Sequence, residues 1–357
     1  MTTVQLLEKL IAFRPVSSDT EQVNAATRFL AELLAENGLH TQIETLDNRL
    51  ILYAATEATK KPALFANAHL EVVAAEDECF TLRESNGWLL GRGTADCLGN
   101  CAALANALIA ANNTASAGVL FSTDEETGGA TTAHMAGLGY AGRKMILICD
   151  NAAPYTIATA QKGMLNLRLR AAGKSCHSAQ PWEGDNAIDK LIDGYCRVRA
   201  LFPPVEAGDE WHDTMAATVI GGGNVVNKVP DSADMVINLR LTEKDSVETT
   251  IRDIEKVSGC QVITELQSPP VYVDEKEPAL KTLKKLLEET LGRPLQIRRM
   301  NGATDARHFA NVGVPIAMIG APGTGIHGSE ERVEQAGLER FAAFLQAYVN
   351  QTVAHKR

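Results

Sequence analysis

Apolar positions along the chain follow two rhythms. Between residues 19 and 37, Val23, Ala26, Phe29, Leu30, Leu33 and Leu34 recur at helical spacing, with Ser18 or Asp19 able to cap the start and Gly38 to end it. The opening MTTVQLLEKLIAF carries Glu8 and Lys9 inside its apolar run and predicts an amphipathic helix. Short strands are expected at 41–45, 49–54 and 63–68, the last running into His69. A helix from about Cys97 to Ala111 precedes the continuous apolar run Gly118–Phe121, which ends in Asp124, Glu125 and Glu126 and then Gly128 and Gly129. Another such run, Met145 to Cys149, ends in Asp150. Continuous apolar strands alternating with helices indicate a mixed or parallel sheet covered on both faces.

The rhythm changes near Gln161. Leu165, Leu167 and Leu169 alternate with Asn166, Arg168 and Arg170, the pattern of a strand with one wet face. A helix follows at about 185–201, strands at 214–220 and 235–241, a helix at 246–257 and a strand at 261–266. The order β-α-β-β-α-β describes a ferredoxin-like α+β module over residues 161–267. The first rhythm then resumes, with a charged helix at 278–291, a strand at 315–319 and a terminal helix at about 338–349. The expected fold is α/β: one discontinuous domain from residues 1–160 and 268–357, with the module inserted between its parts. No repeat or low-complexity tract interrupts this order.

Composition narrows the function. A chain of 357 residues can build two cores. The net charge of −10 argues against a nucleic-acid partner. No segment approaches the ~20 apolar residues that span a bilayer, so no membrane role is expected. The N-terminus lacks a small-residue cleavage site, and the seven cysteines are scattered without a C-x-x-C pair, which points to reduced thiols in the cytoplasm. Cys97 and Cys101 stand four apart, as two buried residues of one helix would.

Three consecutive acids at the end of a buried strand repel one another unless cations or protons neutralise them. Such strand ends are also where open α/β sheets bind ligands. Taken alone, the run is either a cation site or a solvated acidic turn. Four other places resemble it. His69 and Asp150 close apolar strands, Asp96 sits among Gly91, Gly93 and Gly99, and His327 lies in the Gly-rich GAPGTGIHGSEE. Together they favour metal. Imidazole and carboxylate without thiolate suit zinc, cobalt or manganese. One histidine and one terminal carboxylate per ion, with a shared aspartate, would make a two-metal site with ions ~3.5–4 Å apart. Of Glu125 and Glu126, one can ligate while the other acts as general base. Asp305 and His308 read as loop and helix-start structure, and Gly221–Gly223 as a turn.

These motifs, in this order, resemble the metallopeptidase family of acetylornithine deacetylase, succinyl-diaminopimelate desuccinylase, aminoacylase, carboxypeptidase G and related dipeptidases. The resemblance runs through HLEVV (69–73), GRGTADCLGN (91–100), DEETGG (124–129), the Asp150 strand end, QKG (161–163) and CHSAQPWEGDNAI (176–188). It continues through NKVPDSADMVINLR (227–240), TDARHF (304–309) and HGSEERV (327–333). It implies a zinc-exopeptidase-like catalytic domain with an inserted lid and dimerisation domain, and hence a homodimer. It also implies two divalent ions, bridged by Asp96. His69 and Asp150 would complete one site, and Glu126 and His327 the other. Glu125 would be the general base. His177 would stabilise the oxyanion in the partner subunit's active site, and Asn227, Arg240 and Arg307 would hold a substrate carboxylate.

Three departures stand out. Glu71 replaces the aspartate whose carboxylate orients the first histidine from behind in the family. Asp96-Cys97-Leu98-Gly99-Asn100 replaces Asp-Met-Lys-Gly-Gly, and Asn238 stands where an aspartate often precedes the arginine. The expected reaction is cleavage of an amide bond next to a free carboxylate, in N-acetyl and other N-acyl amino acids first, acetylornithine-like compounds among them, and in short peptides as the alternative. Asp150, where deacylases tend to carry glutamate, leans toward peptides. A non-catalytic, metal-stabilised binding protein is the third reading.

Overall fold

The apolar runs assemble side by side in one sheet. The computed structural model describes residues 1–112, 114–151, 153, 155–244 and 246–352. Its contacts divide the chain into two units: one of Met1–Thr159, Val273–Arg298 and the segment from Thr304, the other of Ala160–Tyr272 with Arg299–Ala303.

The first unit begins with α1 (Thr3–Ala12), where Thr2 and Gln5 each accept the other's backbone N–H, and α2 (Thr20–Glu36), capped by Asp19 through the N–H of Gln22. Next come β1 (His40–Leu46), β2 (Arg49–Ala55), β3 (Leu64–His69), β4 (Arg83–Ser85) and β5 (Trp88–Leu90). They are followed by α3 (Leu98–Ala110), β6 (Ala117–Ser122), α4 (Ala130–Gly137), β7 (Met145–Ile148) and β8 (Thr156–Gln161), which crosses into the second unit. That unit holds β9 (Gly163–Ala172), α5 (Ala187–Arg199), β10 (Thr214–Gly222), β11 (Ser232–Leu241), α6 (Val247–Ser258), β12 (Gln261–Ser268) and β13 (Val271–Tyr272). The chain returns through α7 (Pro278–Leu291), β14 (Gln296–Met300), β15 (Ile316–Met318), β16 (Gly323–Thr324) and β17 (Arg332–Glu334) to α8 (Gln335–Thr352).

In the first unit the strands lie in the order β1-β2-β6-β3-β7-β15-β8. β6, β3, β7 and β15 are parallel, and β1 and β2 join antiparallel. Leu64, Ala66 and Ala68 of β3 join the core formed with α1, α3, α7 and α8. Phe65, on the opposite face, meets Tyr53 at 6.1 Å and Phe309 at 5.2 Å between ring centroids. Both faces are covered, which is why these strands carry apolar residues without alternation. α3 is apolar nearly all round and correspondingly buried. A second, small sheet of order β16-β17-β5-β4 ties the segment after His327 to the segment before Asp96.

The second unit is a four-stranded antiparallel sheet of order β10-β11-β9-β12 with α5 and α6 packed on it, the ferredoxin-like connection. Leu165, Leu167 and Leu169 are fully buried beneath the helices. On the other face, cross-strand partners pair by charge and amide: Arg170 Nε to Asp234 at 2.7 Å, Arg168 Nε to Glu265 at 2.6 Å, Asn238 to Asn166 at 2.6 Å. β10 extends through Gly222, so of the three glycines expected in a turn only Gly223, with φ +70°, turns the chain. α4, β4, β5, β8, β13, β14, β16 and β17 escape the periodicity because they are short or built of small residues, whereas β15 lies within the strand expected at 315–319. No helix among the described residues is long and apolar enough to cross a membrane.

Truncating Leu167 to Ala is expected to lower stability by about 2–5 kcal/mol, as for other fully buried leucines. Arg168→Ala, one residue along on the open face, should cost under about 1 kcal/mol. Urea unfolding of the two variants checks the contrast; equal costs would contradict the facing of β9.

Candidate metal centre

Parallel register brings the chemistry to one edge of the sheet. His69 lies opposite Ser122, and Asn67 opposite Ile148, so β3, β6 and β7 release their chains at the same end. His69 is the last residue of β3, Asp124–Glu126 follow β6, and Asp150 follows β7. Asp124 shapes the turn after β6: its carboxylate accepts the Thr131 N–H at 3.0 Å and the Thr131 hydroxyl, capping the start of α4. Gly129 has φ +70°, and a Cβ there would collide with Asp305, His308 and Arg307.

His69 is fully enclosed. Its Nδ1 meets the carbonyl oxygen of Glu71 at 2.9 Å, and since a carbonyl only accepts, Nδ1 carries the proton. Nε2 then faces Asp96 Oδ1 at 2.9 Å and Asp150 Oδ1 at 3.8 Å. The other oxygen of Asp96 lies 3.2 Å from His327 Nε2, which is also 3.1 Å from Glu126 Oε1. His327 holds φ +63°, a left-handed conformation uncommon for a residue with a side chain. One aspartate thus addresses both imidazoles, one with each oxygen.

The carboxyls are pushed in opposite directions. Burial works to raise Asp96, but its hydrogen bonds to His327 and His69 outweigh this and hold it well below the usual carboxylate range. Burial pushes Asp150 up to about 7, with His69 pulling against it and Asp96 adding to the rise. Burial, then the charges of Asp150 and Asp305, pushes Glu125 far above its ordinary value. Hydrogen bonding to Asp96 is the main reason His327 rises to about 9. Carboxylates crowded to this degree either hold protons or hold cations. The ligating atoms of His69, Glu125 and Asp150 lie within 4.8 Å of one another, as do those of Asp96, Glu126 and His327. Two imidazoles and four carboxylates, with one imidazole fixed in tautomer from behind, are a donor set that fits a pair of divalent cations.

Several residues to which the sequence reading gave no role in the site support it. Glu331 and Arg92 form a buried ion pair at 2.5 Å. Glu331 also accepts the N–H groups of Gly93, Ala95 and Asp96, each at 3.0 Å, and Arg92 donates to the His327 carbonyl at 3.1 Å. Asp305 is buried, accepting from Ser122 at 2.9 Å and Thr132 at 2.5 Å. The Cys97 and Cys101 thiols both donate to the His69 carbonyl, at 3.3 and 3.1 Å. Cys97 is the residue before α3 rather than within it. Asn100 accepts the Ala321 N–H at 2.9 Å. The visible signals were Arg92 beside Gly91 and Gly93, and Glu331 four residues after His327; neither names its partner.

Glu71 and Arg307 lie beside these ligands. Behind His69 the hydrogen bond comes from the main chain of Glu71, while the Glu71 carboxylate lies 3.8 Å from Nδ1 and instead accepts the Glu126 N–H at 3.1 Å. Arg307 is nearly enclosed, with its guanidinium 3.8 Å from Glu125 and 3.9 Å from Asp305. His177, Asn227 and Arg240 belong to the second unit. There Ser178 N–H donates to the Asn227 carbonyl at 3.0 Å, His177 bridges Lys228, and Arg240 lies opposite Thr214 and Met164 in the sheet.

Comparison with known proteins follows the same lines. The sequence model of peptidase family M20/M25/M40 matches residues 65–351. A Staphylococcus aureus protein named "probable succinyl-diaminopimelate desuccinylase" is 24% identical over 350 residues, covering 86% of this chain and 85% of its own. Among solved structures, a tripeptidase from Staphylococcus aureus superposes with a TM-score of 0.79 at 17% identity, over 98% of this chain and 97% of its own. A dinuclear metal-binding peptidase from Bacillus subtilis superposes with a TM-score of 0.67 at 14% identity, over 98% of each chain.

Glu331→Ala should cost about 3–5 kcal/mol, because it leaves Arg92 as a buried unpaired charge. Urea unfolding measures it, and a loss below about 1 kcal/mol would mean that the pair does not organise these loops.

Proposed function

This chain belongs to peptidase family M20/M25/M40 and is a metal-dependent hydrolase of amide or peptide bonds, and on that premise we propose that it releases an amino acid from an N-acyl amino acid. N-acetyl compounds of the acetylornithine type come first. The observation that carries the hydrolytic centre is Asp96, with one oxygen toward His69 and the other toward His327. We assign Asp96 as the bridging ligand of two divalent ions, zinc first, with cobalt or manganese as alternatives. His69 and Asp150 hold one ion, Glu126 and His327 the other. When bound, such ions lower the pKa of a water and polarise the scissile carbonyl.

The chain's own groups do the rest. Glu125 is largely buried beside the ligands, and the burial that raises its affinity for a proton suits a group that takes one from water and returns it to the leaving amine. Arg307 lies 3.8 Å from Glu125, which supports a role in orienting that carboxylate; its role toward a substrate carboxylate rests on the motif resemblance. His177 is assigned to the oxyanion, and Asn227 and Arg240 to the substrate carboxylate, on the motif resemblance alone. The acyl-amino-acid reading draws on the desuccinylase name of a relative that aligns over most of both chains. A second reading, short peptides, is favoured by Asp150 at its strand end and by the likeness to a tripeptidase.

We also propose a homodimer through the second unit, in the cytoplasm, where the seven free cysteines would stay reduced. β10 is an outer strand of its sheet and is exposed along most of its length, with Val219 58% and Ile220 62% exposed. An apolar outer strand of this kind invites pairing with a second copy.

Hydrolysis of a panel of N-acetyl and N-succinyl amino acids, dipeptides and tripeptides after metal loading separates the two readings. Glu125→Gln is expected to lower kcat about 10²–10⁴-fold with bound metal unchanged. No turnover on any member of the panel would end the enzyme reading. His177→Ala should lower turnover and spare the metal. Sedimentation should show a dimer that Val219→Lys with Ile220→Lys converts to a monomer; a wild-type monomer would refute the interface.

A further inference from the structure

We propose that Glu71 is a positioning residue for the turn that carries Glu125 and Glu126, and not for the His69 ring. The inference rests on the assignment above of His69 and Asp150 to one ion and Glu126 and His327 to the other. Its ground is what each atom of Glu71 touches.

The ring of His69 does not need the side chain. Its Nδ1 proton already goes to the Glu71 carbonyl at 2.9 Å, a contact that any residue at position 71 would offer. The nearer carboxylate oxygen stands 3.8 Å from Nδ1, outside hydrogen-bond range. That same oxygen accepts the backbone N–H of Glu126 at 3.1 Å. The amide it satisfies has a particular need. Residues 125–127 form a short 3₁₀ helix; the Gly128 N–H donates to the Glu125 carbonyl at 3.1 Å, and the first bond runs from the Thr127 N–H to the Asp124 carbonyl at 3.1 Å. The N–H of Glu126 lies before that bond and finds no carbonyl inside the turn, as the first amides of any helix do. Glu71 supplies the acceptor from the segment that follows β3.

Reach explains the residue type. Leu70 N–H donates to the Ser122 carbonyl at 2.8 Å, so residue 71 leaves β3 alongside the start of the acidic turn. From there the extra methylene of glutamate carries the carboxylate past the ring to the Glu126 amide. An aspartate would stop one methylene short. Glu71 is fully buried and its second oxygen has no hydrogen-bond partner; beyond the charge of the imidazole 3.8 Å away and its own backbone N–H, the Glu126 amide is the group its carboxylate meets.

The test is metal binding by the full chain, stripped and then titrated with zinc or cobalt against a competing chelator. Wild type should take two ions. Glu71→Asp should weaken one of them about 10–100-fold, the usual effect of losing a contact behind a ligand. Glu71→Gln keeps an acceptor of the same reach and should hold both ions within about twofold. Background variants identify the ion. With His327→Ala, which leaves the His69–Asp150 ion, Glu71→Asp should change affinity by no more than about twofold. With His69→Ala it should still weaken the remaining ion about 10–100-fold. Weakening in the His327→Ala background, or a Gln variant that loses metal as the Asp variant does, overturns the proposal. If Glu71→Asp does not fold, the Gln variant decides alone: two ions at wild-type affinity support it, and loss of either overturns it. A wild-type chain that fails to take two ions refutes the ligand assignment instead, a result distinct from two ions that Glu71→Asp leaves undisturbed.

Discussion

The ion pair of Arg92 and Glu331 joins two loops 239 positions apart, the one that carries Asp96 and the one that carries His327. A buried pair repays its desolvation only when its remaining hydrogen-bonding capacity is used. Glu331 meets that condition: one oxygen takes Arg92 and the Gly93 N–H, the other the N–H groups of Ala95 and Asp96. The loop around Asp96 is therefore moulded on a carboxylate from the loop that presents His327. Arg92 in turn holds the His327 carbonyl. The two-sided approach of the histidines to Asp96 follows from this mutual grip.

The electrostatics divide the acids. Asp96 lies between two imidazoles and stays ionised, whereas burial, with the charges of Asp96 and Asp305, drives Asp150 toward holding a proton, and burial, with the charges of Asp150 and Asp305, does the same to Glu125. Environments that separate the affinities of neighbouring carboxyls assign them different work. Asp305, buried behind Glu125 with Arg307 beside it, belongs to the same balance. It read as loop structure in the sequence because its partners Ser122 and Thr132 lie 183 and 173 positions away.

How much was legible follows the same physics. His69, Asp150 and the acidic run could be found because each interrupts a continuous apolar strand, a local contrast that needs no coordinates. The ferredoxin-like module was legible because Leu165, Leu167 and Leu169 alternate with polar residues, and the structure buries those three. The Arg92–Glu331 pair was not, since nothing local to either residue marks its partner. Glu71 shows a subtler limit. Its place after His69 was evident, but the direction of its carboxylate depends on how far β3 and β6 run before their chains turn.

Strand order carries one more consequence, for the order of events on the ribosome. β15, which lies between β7 and β8, and the loop of His327 are both made after the whole second unit. The inserted unit, by contrast, is nearly continuous in the chain and has its own core. Domains tend to fold as they emerge, so this one can be finished while the sheet beside β7 still waits for its neighbour. Until the loop of His327 arrives, the nascent chain has His69 and the acids Asp96, Glu125, Glu126 and Asp150 but no partner for the far oxygen of Asp96. Both the sheet and the cluster around Asp96 are therefore completed only after the inserted unit, by β15 and then by the loop of His327.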